Sequence, residues 1–147
     1  MASHKSYLAK FNRLVLPTVS KLERLLSSGL ESELKTHELT LAEFRIVGLL
    51  MGEKQGYSQK LLAQKLNISA PSLSVSIANL EKKHWIQRIT DGEDQRIKRI
   101  QVSPNADFSA IANLITSLES KATKGINQKD LATTHAVLQK IILNITE

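Results

Sequence analysis

Apolar residues recur at steps of three and four from Ser6 to about Ser27, at Leu8, Phe11, Val15, Val19, Leu22 and Leu26. That spacing predicts a helix with a broad apolar stripe. Pro17 lacks an amide donor, so a kink or break is expected there. Ser27-Ser28-Gly29 reads as a stop signal, followed by a polar stretch that carries Leu30 and Leu34. Thr40-Leu41-Ala42-Glu43 has the form of a capping box, and the apolar run Phe44, Ile46, Val47, Leu49 and Leu50 behind it predicts a short helix ending before Gly52. Gly56-Tyr57 reads as a turn or a very short strand. Ser58 is placed to cap a helix whose inner face is Leu61, Leu62 and Leu66.

Asn67 breaks that helix, since asparagine tolerates the left-handed conformation. Ser69 caps the next one, with Pro71 in the first turn, where a missing amide costs little. Leu73, Ile77 and Leu80 give it an inner face, while Ser72, Ser74, Val75, Ser76 and Asn79 form an outer face of small side chains. The period then changes from helical to alternating. Trp85 to Thr90 and Arg96 to Val102 read as two strands, and Asp91-Gly92-Glu93-Asp94 between them is hairpin chemistry. Phe108, Ile111, Ala112, Ile115 and Leu118 predict a further helix ending near Gly125. Asn127 can cap a last one carrying Leu131, Val137, Leu138, Ile141, Ile142 and Ile145. The expected fold is mainly α, with one β-hairpin.

Composition narrows the function classes. The 147 residues suit a single domain, and 41% apolar with 23% charged residues is an ordinary globular balance. Apolar stretches are far shorter than the ~20 residues that cross a bilayer, and no secretory pattern follows Met1, so no membrane partner is expected. Cysteine is absent. That removes disulfides, thiolate metal sites and thiol catalysis, and suits a reducing cytoplasm. The net charge is +6, and most of the excess falls in residues 54–100, with nine basic and four acidic side chains. A localised positive field is what a polyanion selects.

Two short helices joined by Leu66-Asn67-Ile68-Ser69, with a basic hairpin behind the second, are the parts of a winged helix-turn-helix. A helix fits the ~12 Å major groove when its exposed residues are small or polar enough to approach base edges. From these residues the sequence resembles the multiple-antibiotic-resistance regulator (MarR) family. The resemblance is carried by Leu39 to Ile46, Ser58 to Leu66, Ser69 to Ile86 and the wing Asp91 to Arg96. Gly125 to Leu131 adds to it as a lead-in to the last helix. It implies one domain over residues 1–147, with a winged helix-turn-helix at 38–103. Residues 1–37 and 104–147 would form a helical dimerisation part.

The resemblance further implies a cytoplasmic homodimer that reads a pseudo-palindromic operator in double-stranded DNA and acts as a repressor. Ser69, Pro71, Ser72, Ser74, Val75 and Asn79 would meet the major groove. Asp94, Gln95, Arg96 and Lys98 would form the wing contact, with Arg96 in the minor groove and Asp94 orienting its guanidinium. Ser58, Lys60 and Lys82 would touch phosphate. A small-molecule effector would sit among Phe11, Val15, Phe44 and Phe108, residues that equally suit a core. The family often carries a basic residue where Val75 and Asn79 stand. Without one, hydroxyl, water-mediated and thymine-methyl contacts and DNA shape are expected to carry the readout.

Other readings stay open. The outer helix face could be plain solvated surface, and Asp94 with Arg96 a turn-stabilising pair. Lys60, Lys65, Lys82, Lys83, Lys98 and Arg99 could each serve either phosphate or solvent. A winged helix that binds a protein partner rather than DNA is one alternative, and a ligand-carrying or enzymatic helical dimer is another. His4, His37, His84 and His135 lack ligand spacing, and there is no phosphate-cradling glycine loop or nucleophile signature, so no metal, cofactor or catalysis is expected. Trp85 is expected beneath the wing.

Overall fold

The computed structural model describes residues 4–90, 92–94 and 96–146. The chain divides into two compact units, Met1–Asp107 and Phe108–Glu147. In the first, α1 (His4–Phe11) precedes α2 (Val15–Lys35) and α3 (Leu41–Met51). The strand β1 (Tyr57–Ser58) leads into α4 (Gln59–Leu66) and α5 (Ala70–Lys82), and β2 (Ile86–Thr90) and β3 (Lys98–Val102) follow. The second unit holds α6 (Ser109–Ala122) and α7 (Gln128–Thr146).

The expected break near Pro17 falls just before it. Helix α1 ends at Phe11 and α2 starts at Val15, which makes Pro17 the third residue of α2, where an amide would have no intrahelical acceptor. The expected stop at Ser27-Ser28-Gly29 is absent, because α2 continues to Lys35. A mid-helix glycine costs only ~0.5–1 kcal/mol. Leu26, Leu30 and Leu34 carry the apolar period straight through it, and Leu34 is completely buried. Ser27 also donates to Glu23 Oε1 at 2.6 Å, and Arg45 of α3 bonds the same carboxylate at 2.6 Å.

The local signals after residue 39 are realised one by one. Thr40 accepts the Glu43 amide at 3.1 Å while the Glu43 carboxylate accepts the Thr40 amide at 3.3 Å, the reciprocal capping box. Ser58 and Ser69 cap α4 and α5, accepting the amides of Leu61 and Ser72 at 3.3 Å each. Asn67 stands at φ 51° and closes α4 in the left-handed region, and His84 does the same between α5 and β2 at φ 58°. Asn127 Oδ1 accepts the Asp130 amide at 2.9 Å ahead of α7.

The sheet has one strand more than the expected two-stranded wing. Its order is β1-β3-β2, all antiparallel, with Tyr57 opposite Ile100 and Ile86 opposite Val102. Gly56 makes the β1 pairing possible. It sits at φ 68°, and a Cβ there would lie 2.3 Å from the Ile100 carbonyl oxygen, so only glycine fits. The expected Asp-Gly turn begins at Asp91, outside the described residues. The last β2–β3 pair is Thr90 with Lys98, leaving residues 91–97 as a longer connection, too long for a two-residue turn. Asp91 and Gln95 lie outside the described residues. Within that connection Asp94 supplies the turn, accepting the Arg96 amide on Oδ1 at 2.9 Å and the Ile97 amide on its carbonyl at 3.0 Å.

The core of the first unit is a single apolar cluster. It joins Leu34 and Leu39 to Ile46, Val47 and Leu50 of α3, Leu62 of α4, Leu73, Ile77 and Leu80 of α5, and Ile86 and Ile100 of the sheet. Leu61, expected on the inner face of α4, is exposed. Trp85 is half-buried. Glu43 is the one buried charged side chain among the described residues, only 2% exposed. It lies on the same face as Leu39, Ile46, Val47 and Leu50, and Lys83 reaches it from the end of α5 with Nζ 3.0 Å from Oε2. Lys83 Nζ also donates to the Glu38 carbonyl oxygen. Of its two sequence readings, phosphate or solvent, neither describes Lys83. It ties the end of α5 to the start of α3.

Candidate nucleic-acid interface

Helix α5 turns Leu73, Ile77 and Leu80 into the core, which leaves the opposite face outside. On that face Ser69, Pro71, Ser72, Ser74, Val75 and Asn79 are all exposed, Val75 by 64%. The sequence period therefore sorted this helix correctly except at Ser76, expected on the outer face and half-buried. An isoleucine-sized apolar contact is absent from the face; what stands out is one valine among hydroxyls, an arrangement suited to close approach and to a thymine methyl group.

The polar groups of this face are ordered. Ser69 accepts the Ser72 amide and donates its own hydrogen to Ser72 Oγ at 2.9 Å. Ser74 accepts a hydrogen bond from Gln59 Nε2 at 2.6 Å. Gln59 Oε1 in turn accepts from Arg88 Nη1 at 3.2 Å, and Arg88 Nε donates to Glu81 Oε1 at 2.8 Å. Gln59, Glu81 and Arg88 thus connect α4, α5 and β2 in one polar chain. The sequence reading missed all three, because no local spacing links positions so far apart.

Lys60 of α4 and Lys82 of α5 are exposed, as are Arg96 in the connection between β2 and β3 and Lys98 at the start of β3. Ser58 is half-buried and spends one lone pair as the α4 cap. Asp94 meets Arg96 through the backbone amide and so shapes the loop that carries its guanidinium. Lys65 stands over the Tyr57 ring, 5.3 Å from its centre, and Arg99 Nη1 donates to the Gly56 carbonyl at 3.3 Å. Both cations therefore have contacts that hold β1.

The residues expected around an effector belong to both units. A hollow of about 340 Å³ lies against α2 and α3, lined by Leu22, Leu26, Leu30, Leu41, Phe44 and Arg45 among others. Phe44 is part of its wall, whereas Phe11 and Val15 are exposed outside it and Phe108 belongs to the second unit. Among the described residues there is no cluster of three or more His, Asp or Glu able to hold a metal ion. No helix among them is long and apolar enough to cross a membrane.

A helix-turn-helix capped by serines, braced on a three-stranded sheet and followed by a wing that carries Arg96 and Lys98, defines a winged helix-turn-helix protein. Residues 37–97 match the sequence model of the MarR family. The chain is also similar to solved structures over nearly its whole length. A MarR family transcriptional regulator from Silicibacter pomeroyi DSS aligns with TM-score 0.81 at 18% identity, covering 95% of this chain and 94% of that one. Transcriptional regulator PA3341 aligns with TM-score 0.76 at 24% identity, covering 90% and 98%. The MepR chain of the S. aureus MepR–DNA complex aligns with TM-score 0.68 at 19% identity, covering 90% and 96%. These likenesses show that the chain shares the fold of those proteins.

Proposed function

We propose that this chain is a homodimeric, sequence-specific DNA-binding transcriptional regulator, acting as a repressor that a small-molecule effector releases. The observation that carries the reading is the exposed face of α5, small and hydroxyl-rich, in the same unit as a wing on which Arg96 and Lys98 are exposed. The face suits the major groove, and Arg96 on the wing suits the narrower minor groove. Lys60, Lys82 and Lys98 supply phosphate contacts, and Ser58 can still donate its hydroxyl hydrogen to one. Because no long side chain projects from Val75 or Asn79, specificity comes from close contacts and duplex shape.

Dimerisation is supported by apolar surface that one chain leaves uncovered. Leu8, Phe11, Leu16 and Leu22 of α1 and α2 are exposed, and so are Val137, Ile142 and Ile145 of α7. Large apolar side chains gathered along a helix mark a surface that a partner covers. A second copy would cover them and set two recognition helices one DNA turn apart, ~34 Å. An effector in the hollow beside Phe44 and Arg45 would shift that spacing by binding one arrangement better than the other.

The test is binding to duplexes selected from a random pool, measured as a function of salt. Counterion release gives log K a steep negative slope against log salt, about −0.9 for each phosphate neutralised. Arg96→Ala is expected to weaken binding about tenfold, the loss of one charge-assisted contact, while the dimer stays folded. A winged helix that docks on a protein would show neither the slope nor the Arg96 effect on DNA. Unchanged affinity in Arg96→Ala would remove the wing from the interface.

A further inference from the structure

The geometry points to Gln59 as the residue that fixes the hydrogen-bonding sense of Ser74, so that α5 presents Ser74 as a donor and selects an acceptor on a base edge. The inference rests on the DNA-binding reading above and deepens it.

A guanidinium group can only donate. Arg88 donates Nε to Glu81 Oε1 at 2.8 Å and Nη1 to Gln59 Oε1 at 3.2 Å, so the Gln59 amide must turn its oxygen toward Arg88. Its NH₂ group then faces Ser74 and donates to Oγ at 2.6 Å. Gln59 is half-buried at the start of α4, whereas Ser74 is exposed on the face of α5. With a lone pair of Ser74 taken, the hydroxyl hydrogen is the group left to meet a partner. Among the described residues nothing accepts it.

An unconstrained serine reads donors and acceptors alike. A serine held in this way discriminates between them. Purine N7, guanine O6 and thymine O4 can each take the Ser74 hydrogen, whereas the cytosine N4 amino group cannot. A base donor could use only the second lone pair, and the hydroxyl hydrogen would then remain without a partner in a closed interface. Gln59 is therefore a positioning residue, and Arg88 with Glu81 fixes its orientation from the wing side.

Gln59→Glu tests the assignment. The carboxylate keeps the length of the side chain and its bond to Arg88, but it cannot donate. Ser74 must then donate to the carboxylate and turn an acceptor outward. The measurement is the affinity of wild type, Gln59→Glu and Ser74→Ala for every single-base-pair variant of a duplex selected by wild type. At one base pair per half-site, Gln59→Glu is expected to flatten or reverse the wild-type preference by about five- to tenfold. Ser74→Ala is expected to flatten the preference at that same pair, with preferences at the remaining pairs retained.

Gln59→Met, which removes the donor without adding charge, should flatten the same pair and covers the case where the carboxylate disturbs the fold. An equal loss at every pair would mean a purely structural role and overturn the inference. So would an unaltered pattern, or shifts by the two residues at different pairs. Failure of wild type to select any duplex would instead overturn the DNA-binding reading itself, and this inference with it.

Discussion

Ile142→Asp is expected to raise the dimer dissociation constant at least ~100-fold and to lower affinity for a selected duplex by a similar factor. Helix α7 runs from Gln128 to Thr146, and none of its described residues is buried in the single chain. Ile142 is 49% exposed, and Leu143 and Ile145 beside it are also open to solvent. If a second copy covers this stripe, an aspartate there must lose its hydration without gaining a cation, which costs several kcal/mol. A factor of 100 corresponds to only about 2.7 kcal/mol, so the stated effect is a lower bound. The duplex loses affinity in step, because a monomer engages one half-site and forfeits the high effective concentration of the second. Sedimentation equilibrium and fluorescence anisotropy read the two effects. A variant that stays dimeric at micromolar concentration would place the interface elsewhere.

Lys83→Met is expected to destabilise the fold by about 2–3 kcal/mol. Removing one partner of a buried ion pair typically costs ~3–5 kcal/mol, and the Lys83 side chain is 30% exposed, which lowers the figure. Glu43 would keep only the Thr40 amide, 3.3 Å from its Oε2. The double variant Glu43→Gln with Lys83→Met should recover most of the loss, since no uncompensated charge stays buried. Arg45→Ala is the contrasting case. Its pair with Glu23 has about half of each side chain in water, and its loss should cost under ~1 kcal/mol. Thermal melts at one fixed protomer concentration compare the three, because dimer stability depends on concentration. If Lys83→Met and Arg45→Ala cost the same, Lys83 does not clamp α3 to α5.

The parts of the fold that follow from short-range rules were legible in the sequence. Serine caps, the capping box at Thr40, the left-handed Asn67 and the inner stripe Leu73, Ile77 and Leu80 each depend on residues within about four positions of one another. Three features depend on distant partners and were not. Gly29 reads as a stop until Leu34, buried against the rest of the unit, shows why α2 continues. Tyr57-Ser58 becomes a strand only because Gly56 lets it approach Ile100. Lys83 reads as one more surface cation, yet it is claimed by Glu43, forty positions away.

A signal for that last pairing was present. Glu43 falls in the apolar period set by Leu39, Ile46, Val47 and Leu50, and a carboxylate on an inner face requires a cation. The site divides in the same way. Helical period alone exposes Ser74 and Val75, whereas the contacts of Gln59, Arg88 and Glu81 arise only when α4, α5 and β2 are assembled.

Sedimentation velocity of the wild-type protein mixed with a selected duplex decides whether two protomers share one duplex. The protein is expected to be dimeric before DNA is added and to form a complex of two protomers on each duplex. A stable monomer, a complex of one protomer per duplex, or no complex even in dilute salt would contradict this expectation.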